Sequence, residues 1–453
     1  MTTSAAARLA NVTSIMARAN ATKKELPITA PTPHRPEAPR PDMTDLWESR
    51  PLLRDLRDAA RSALVSPEAV LATTLVDVTS ATEPGLQLPA TIGGNASLNM
   101  FAALVGPSGA GKGAATSTAR RILTINNVGG FDCRAPIYPD GTGEGLVRIF
   151  AGDGSHNDGD EPPPTRAIID IPEIDSLGAK ASRQGATIMP TLRSAYMGEQ
   201  LGSQTSEKAR RTRIAPHTYR MGLIAGVQPL RAAIILDDAD GGTPQRFLWA
   251  PVNDPQADRN AAGAWKSHIT VKLPPVPSTG AVMGVPKVAK DTIIDARIAT
   301  VTGSLERRSL DGHALLTRLK VAAALALLDS RLDISAADWE LSSAVMAMSD
   351  WTRQDVIRIR ENEAQKQRDQ RATDRGQDYE TANEARLKTR ARNHARRWAE
   401  HRATDQWIAG WEIVKAARSE IREYVPEALD DAHADGLLDR GMAGDAVMYR
   451  KSQ

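Results

Sequence analysis

One octet constrains this 453-residue chain more than any other feature: Gly106-Pro107-Ser108-Gly109-Ala110-Gly111-Lys112-Gly113. It directly follows the apolar run Phe101-Ala102-Ala103-Leu104-Val105 and leads into the helix-prone Ala114-Ala115-Thr116. A strand, a glycine-rich turn ending in Gly-Lys and a helix, in that order, form a cradle for phosphate. Glycines let consecutive backbone N–H groups point inward at phosphate oxygens, and the helix adds the positive end of its dipole. Lys112 contributes a full charge for the β and γ phosphates. Gly106, Pro107, Ser108, Gly109, Ala110, Gly111, Lys112, Gly113 and Ala114 are therefore the expected nucleotide-binding residues, with ATP and Mg2+ as the expected ligands. One member of the pattern is missing. The Ser or Thr that follows the lysine and ligates Mg2+ is here Gly113. Thr116 and Ser117 are nearby hydroxyls, but neither is in register.

A phosphate cradle that hydrolyses its ligand needs a second strand whose end presents acids to Mg2+ and to the attacking water. Arg166-Ala167-Ile168-Ile169-Asp170-Ile171-Pro172-Glu173-Ile174-Asp175-Ser176-Leu177 fits that need and lies some sixty residues downstream. It resembles the "hhhhDE" Walker B strand of ATPases. In that alignment Glu173 takes the place of the catalytic base and Pro172 the place of the metal-binding Asp, so Asp170 or Asp175 is left to hold the metal. A further strand-like run, Tyr219 onward, ends at Val227-Gln228-Pro229 and puts Gln228 where a polar residue can sense the γ-phosphate. Arg246, after the glycine-rich Gly241-Gly242, is a candidate arginine finger at a subunit interface. Arg318 and Lys320 are candidates for contacts from a lid.

Around these motifs the chain reads as α/β. Short apolar runs at 98–105, 166–171, 219–225 and 247–250 alternate with helical stretches bounded by Gly and Pro. Residues 1–43, with six prolines between Pro27 and Pro41, read as a disordered arm, and 44–97 as a helical segment in which Ser66-Pro67-Glu68 caps a helix running to about Ser80. The core then spans 98–300, with an exposed loop at 152–164. A helical lid and linker cover 301–378, where Asp311 caps a helix and a second helix from Ser335 past Arg360 dissolves into the polar 361–377 as a solvated extension or a linker. A C-terminal module occupies 379–453.

Composition closes off other classes. Hydrophobic residues at 41% and charged ones at 25% are ordinary globular usage. The single cysteine, Cys133, excludes a disulfide framework and a Cys-based zinc cluster and points to a cytoplasmic setting. No apolar run is long enough to span a membrane.

A formal net charge of +2 argues against a surface coated in cations, yet the charge is segregated. Lys208, Arg210, Arg211 and Arg213 fall on a Gly/Ser-flanked excursion at 198–213, where a mobile basic loop can grip the phosphates of single-stranded DNA. Residues 386–422 hold ten Lys/Arg against four Asp/Glu, whereas 423–453 hold seven acids against three bases. In the C-terminal module, helices, an Asp435-Gly436-Leu437-Leu438 close and then a hairpin resemble a winged-helix domain. The last helix carries Glu423, Glu427, Asp430, Asp431 and Asp435, ill suited to a phosphate-lined groove. DNA contact through Arg390, Arg392, Arg396 and Arg397 and protein docking both stay open. Trp398, Trp407 and Trp411 read as that module's core.

From Trp47 to about Asp350 the chain resembles the P-loop ATPases of actinobacterial prophages and mobile elements, relatives of replicative helicases and primase-associated ATPases. The resemblance rests on "WESRPLL", "GGNASLNMFAALVGPSGAGKG", "IPEIDSLGA", "GVQP", "GGTPQRFLW" and "DGHALLTRLKVAAALALLD". It implies a RecA/AAA+-like core, a homo-oligomeric ring, work on DNA during replication of the element, and a primase or other replication protein as partner. A helicase loader or replication regulator that uses ATP as a slow switch is the alternative it leaves.

Overall fold

In the computed structural model, residues 38–151, 162–182, 184–203, 212–238, 241–303 and 313–452 are described. The chain divides into two units, Met1–Arg360 and Glu361–Gln453.

The first unit is built on a five-stranded sheet. Its strands are β1 (Met100–Val105), β2 (Ile137–Pro139), β3 (Arg166–Ile171), β4 (Arg220–Val227) and β5 (Phe247–Pro251). All pairings are parallel and the order is β5-β1-β4-β3-β2. Strands β1 and β4 are buried at every residue, the signature of central strands covered on both faces. Alternate side chains feed two cores. Ala102, Leu104, Ile168 and Ile224 pack with helix α1 (Pro67–Ser80), helix α2 (Lys112–Ile122) and helix α3 (Ala314–Leu328). Phe101, Ala103, Ile169 and Leu223 pack with Phe150, Ile188 and Leu192 on the other face. The result is a three-layer α/β/α arrangement. Helix α1 starts as its sequence suggests: Ser66 caps the Ala69 N–H and Pro67 occupies the first turn. Every residue of α1 except Glu68 is buried.

Four features differ from the sequence reading. Strand β2 has no counterpart among the expected strands, because three residues at a sheet edge are too few to show a period. The end of the proline-rich arm is fixed: Met43 is buried, Arg40 pairs with Glu68, and the Trp351 indole N–H donates to the Ala38 carbonyl. The helix from residue 336 does not dissolve at 361 but runs on as α4 (Ala336–His401), 66 residues long. Its exposed middle is laced by Gln365–Asp369, Gln370–Asp374 and Glu384–Lys388 pairs one turn apart. Fourth, Trp398 alone of the three tryptophans joins the C-terminal core, whereas Trp407 lies beneath Arg450 and against Gly441, and Trp411 is exposed. Most of the arm (1–37), most of the 152–164 loop (152–161), Lys208, Arg210, Arg211 and Asp311 lie outside the described residues.

In the second unit, the end of α4 is followed by Ile408–Ala409, a helix at Gly410–Ala416, a 3-10 turn at Ser419–Tyr424, a helix at Val425–Ala434, and strands Leu438–Ala443 and Ala446–Lys451. The strands form one antiparallel sheet with Ala446–Lys451 in the middle. Among the described residues, no helix is long and apolar enough to cross a membrane.

Candidate functional site

In an open parallel sheet, ligands sit beyond the carboxyl ends of the strands, where the chain order reverses. Here that point lies beside β1, whose neighbours β4 and β5 both come later in the chain. The loop after β1 is the Gly106–Gly113 octet, and α2 begins at Lys112 with Gly111 as its N-cap. Gly109 and Gly111 have φ of 75° and 92°, a left-handed backbone that a side chain would strain. Gly106 is fixed by space instead, since a Cβ there would stand 2.2 Å from Val252 Cγ2. The loop is pinned on both flanks: the Gly106 N–H donates to the Val227 carbonyl, and the Val252 N–H donates to the Val105 carbonyl.

Three of the expected site residues meet at this loop. The Lys112 ammonium is buried and donates to the carbonyls of Gly106 (3.2 Å) and Pro107 (3.0 Å). It stands 3.7 Å from Glu173 Oε1. The other oxygen of Glu173 accepts a 2.9 Å hydrogen bond from Gln228 Nε2. Glu173 follows β3 and Gln228 follows β4, so two loops from neighbouring strands hold one carboxylate between an ammonium and an amide. The side chain of Glu173 is 48% exposed, so water reaches it. Gly226 makes this approach feasible, because a Cβ there would stand 2.1 Å from the Pro172 carbonyl oxygen and 3.2 Å from Lys112 Cε. No sequence signal singled out Gly226; only the closeness of β3 and β4 explains it.

Other expected site residues are placed elsewhere. Asp170 lies before the end of β3 and faces α1 and α2, where it accepts a 3.1 Å bond from Arg120. Arg120 also lies 3.7 Å from Asp77. Asp175 opens the short helix Asp175–Ala181 and stands 3.5 Å from Arg231, both largely exposed. Arg246 is buried, donates to the Gly241 carbonyl and lies near His313, whose pKa burial pushes down to about 4 with help from Arg246. Burial also lowers the Arg246 pKa. Arg318 stacks on the Trp339 ring at 3.9 Å and bonds the Trp339 carbonyl. Lys320 is fully buried, bonds the carbonyls of Asn99 and Tyr196, and is held well below its usual pKa by burial. Both serve packing in this arrangement. Arg213 lies on an antiparallel ribbon, Leu201–Ser203 with Thr212–Ile214, and donates to Gln200.

Neither a family model nor a curated protein matches this chain. Among solved structures, a crystal structure of a candidate ATPase from Cytophaga hutchinsonii is similar at a TM-score of 0.30 and 11% identity, covering 66% of this chain and 86% of that one. A likeness this low carries no argument about function.

Proposed function

We propose that this chain binds ATP at residues 106–114 and hydrolyses it, as the nucleotide-driven core of a DNA-associated machine akin to the helicase-like ATPases its sequence resembles. The observation that carries the ATPase part is the convergence of Lys112, Glu173 and Gln228 beyond the ends of β1, β3 and β4. The loop amides and the start of α2 receive phosphate oxygens. Lys112 exchanges the carbonyls of Gly106 and Pro107 for the β and γ phosphates. That exchange frees Glu173 to accept a proton from the attacking water, and Gln228 holds the carboxylate in place. The DNA part rests on the basic excursion that the 201–214 ribbon carries, together with the resemblance. Ring assembly, a replication partner such as a primase, and a winged-helix role for the C-terminal unit rest on the resemblance and on the order of elements.

A second reading, an ATP switch with slow turnover, is favoured by Gly113 and by Pro172 in the place of an acid. ATP turnover with and without single-stranded DNA separates the two. Strong stimulation supports the motor, and negligible turnover with nucleotide-dependent assembly supports the switch. Under both readings Lys112→Ala weakens ATP binding by about 100-fold, roughly 3 kcal/mol, with an unchanged circular dichroism spectrum. Unchanged affinity for a fluorescent ATP analogue would remove the assignment.

A further inference from the structure

Mg2+ at a phosphate cradle takes an octahedron of oxygens, commonly from one or two protein groups together with phosphates and water. At this site the protein groups are missing one after another. Position 113 has no hydroxyl, and not because packing forbids one: a Cβ on Gly113 would meet nothing within 4 Å. The Thr116 hydroxyl is buried and turned back onto the Lys112 carbonyl of its own helix at 3.3 Å. Pro172 brings no carboxylate, and its carbonyl lies against Gly226. Asp170 leaves β3 on the same sheet face as Ile168, where Arg120 donates to it. Asp175 faces Arg231. Glu173 is held by Gln228, and the oxygen that Lys112 leaves when phosphate binds is the proton acceptor of the reading above.

We infer that the cradle takes the triphosphate without a protein-held metal. This rests on the nucleotide reading above and specifies its chemistry. Phosphate charge is met by the backbone amides of the loop, the N-terminal end of α2 and Lys112, and a Mg2+ that arrives with the nucleotide is ligated by phosphate oxygens and water. Two acids considered for the metal, Asp170 and Asp175, then serve structure, and Gly113 is the position at which a ligand is lacking.

The test is nucleotide affinity of the full-length chain, read by calorimetry or with a fluorescent ATP analogue, in excess Mg2+ and in excess EDTA. The wild type is expected to differ by less than about threefold between the two conditions. Gly113→Ser, whose side chain enters open space, is expected to become tighter in Mg2+ than in EDTA by about tenfold or more. A wild type that loses tenfold or more in EDTA overturns the inference, and the wild-type comparison stands whether or not the variant folds. A folded Gly113→Ser as indifferent to EDTA as the wild type overturns position 113 as the absent ligand. Absence of ATP binding in both conditions overturns the nucleotide reading itself, an outcome distinct from metal-dependent binding.

Discussion

Behind the cradle helix, Asp77 carries the carboxyl with the most consequential surroundings. It sits on α1, fully buried, and burial raises its pKa to about 6, against the pull of Arg120 and Arg134 and with a push from Asp170. Its folded-state pKa therefore lies above the unfolded value of 3.8. The fold is favoured by the proton on Asp77, fully so below about pH 4. That advantage is lost as pH rises toward 6, where the buried carboxylate costs roughly 3 kcal/mol. Asp77→Asn keeps a neutral group at every pH. Denaturant unfolding of the two proteins should show the variant gaining stability relative to the wild type between about pH 4 and 6, by up to roughly 3 kcal/mol. A pH-independent difference would mean that Arg120 compensates the charge fully. The same scale shows what holds the arginines and lysine expected to act on nucleotide. Arg246, Arg318 and Lys320 each find carbonyls or an aromatic ring inside the fold, and sequence has no mark for inward orientation.

Helix α4 poses the question at the level of elements. Residues 361–386 are almost wholly exposed, and an isolated polar helix of this kind is held by its own one-turn pairs rather than by packing. Gly376 sits in that stretch with nothing within 4 Å of a Cβ. Gly376→Ala should stabilise the helix locally by about 1 kcal/mol. Limited proteolysis within 361–386 should slow by about fivefold, in line with that gain. An unchanged rate would mean that cleavage does not require this helix to open. Much of the fold was legible at this scale. Strands β1, β3, β4 and β5 and the start of α1 all carried local signals: apolar runs bounded by glycine and proline, and a capping serine. Strand β2 carried none, and the continuity of α4 past residue 360 rests on weak side-chain pairs that produce no apolar period.

Charge belongs to the whole molecule. The basic block at 386–422 and the acidic block at 423–453 look in sequence like two surfaces of opposite sign. In the folded second unit Arg390 pairs with Glu420 and Arg392 with Asp431, while Arg396 pairs with Glu400. Arg440 and Tyr449 meet Asp430. Three of the four arginines that offered DNA a surface are thus partly neutralised by the unit's own acids. The excursion at 208–213 is accordingly the stronger candidate for gripping DNA. Replacing Lys208, Arg210, Arg211 and Arg213 together by Ala should lower the slope of log affinity against log salt for single-stranded DNA by about 3. Arg392→Ala should leave it within about 0.5 of the wild type. The reverse pattern, read by fluorescence anisotropy over a salt series, would move the DNA-binding surface to the C-terminal unit.

The sequence by itself determined the cradle, because its parts are contiguous: an apolar strand, glycines that need left-handed φ, a lysine and a helix start within a few residues. It also marked Glu173 and Gln228 as polar tips of apolar strands. The tertiary structure alone decided what those tips and the remaining charges face. The parallel order β5-β1-β4-β3-β2 puts Gln228 against Glu173 across 55 residues of chain, and Arg120 against Asp170 across 50. Such pairings follow from which strands become neighbours and which face of a strand a side chain leaves by. Nothing in the local run of residues around Asp170 distinguishes a carboxylate turned to a metal from one turned to an arginine.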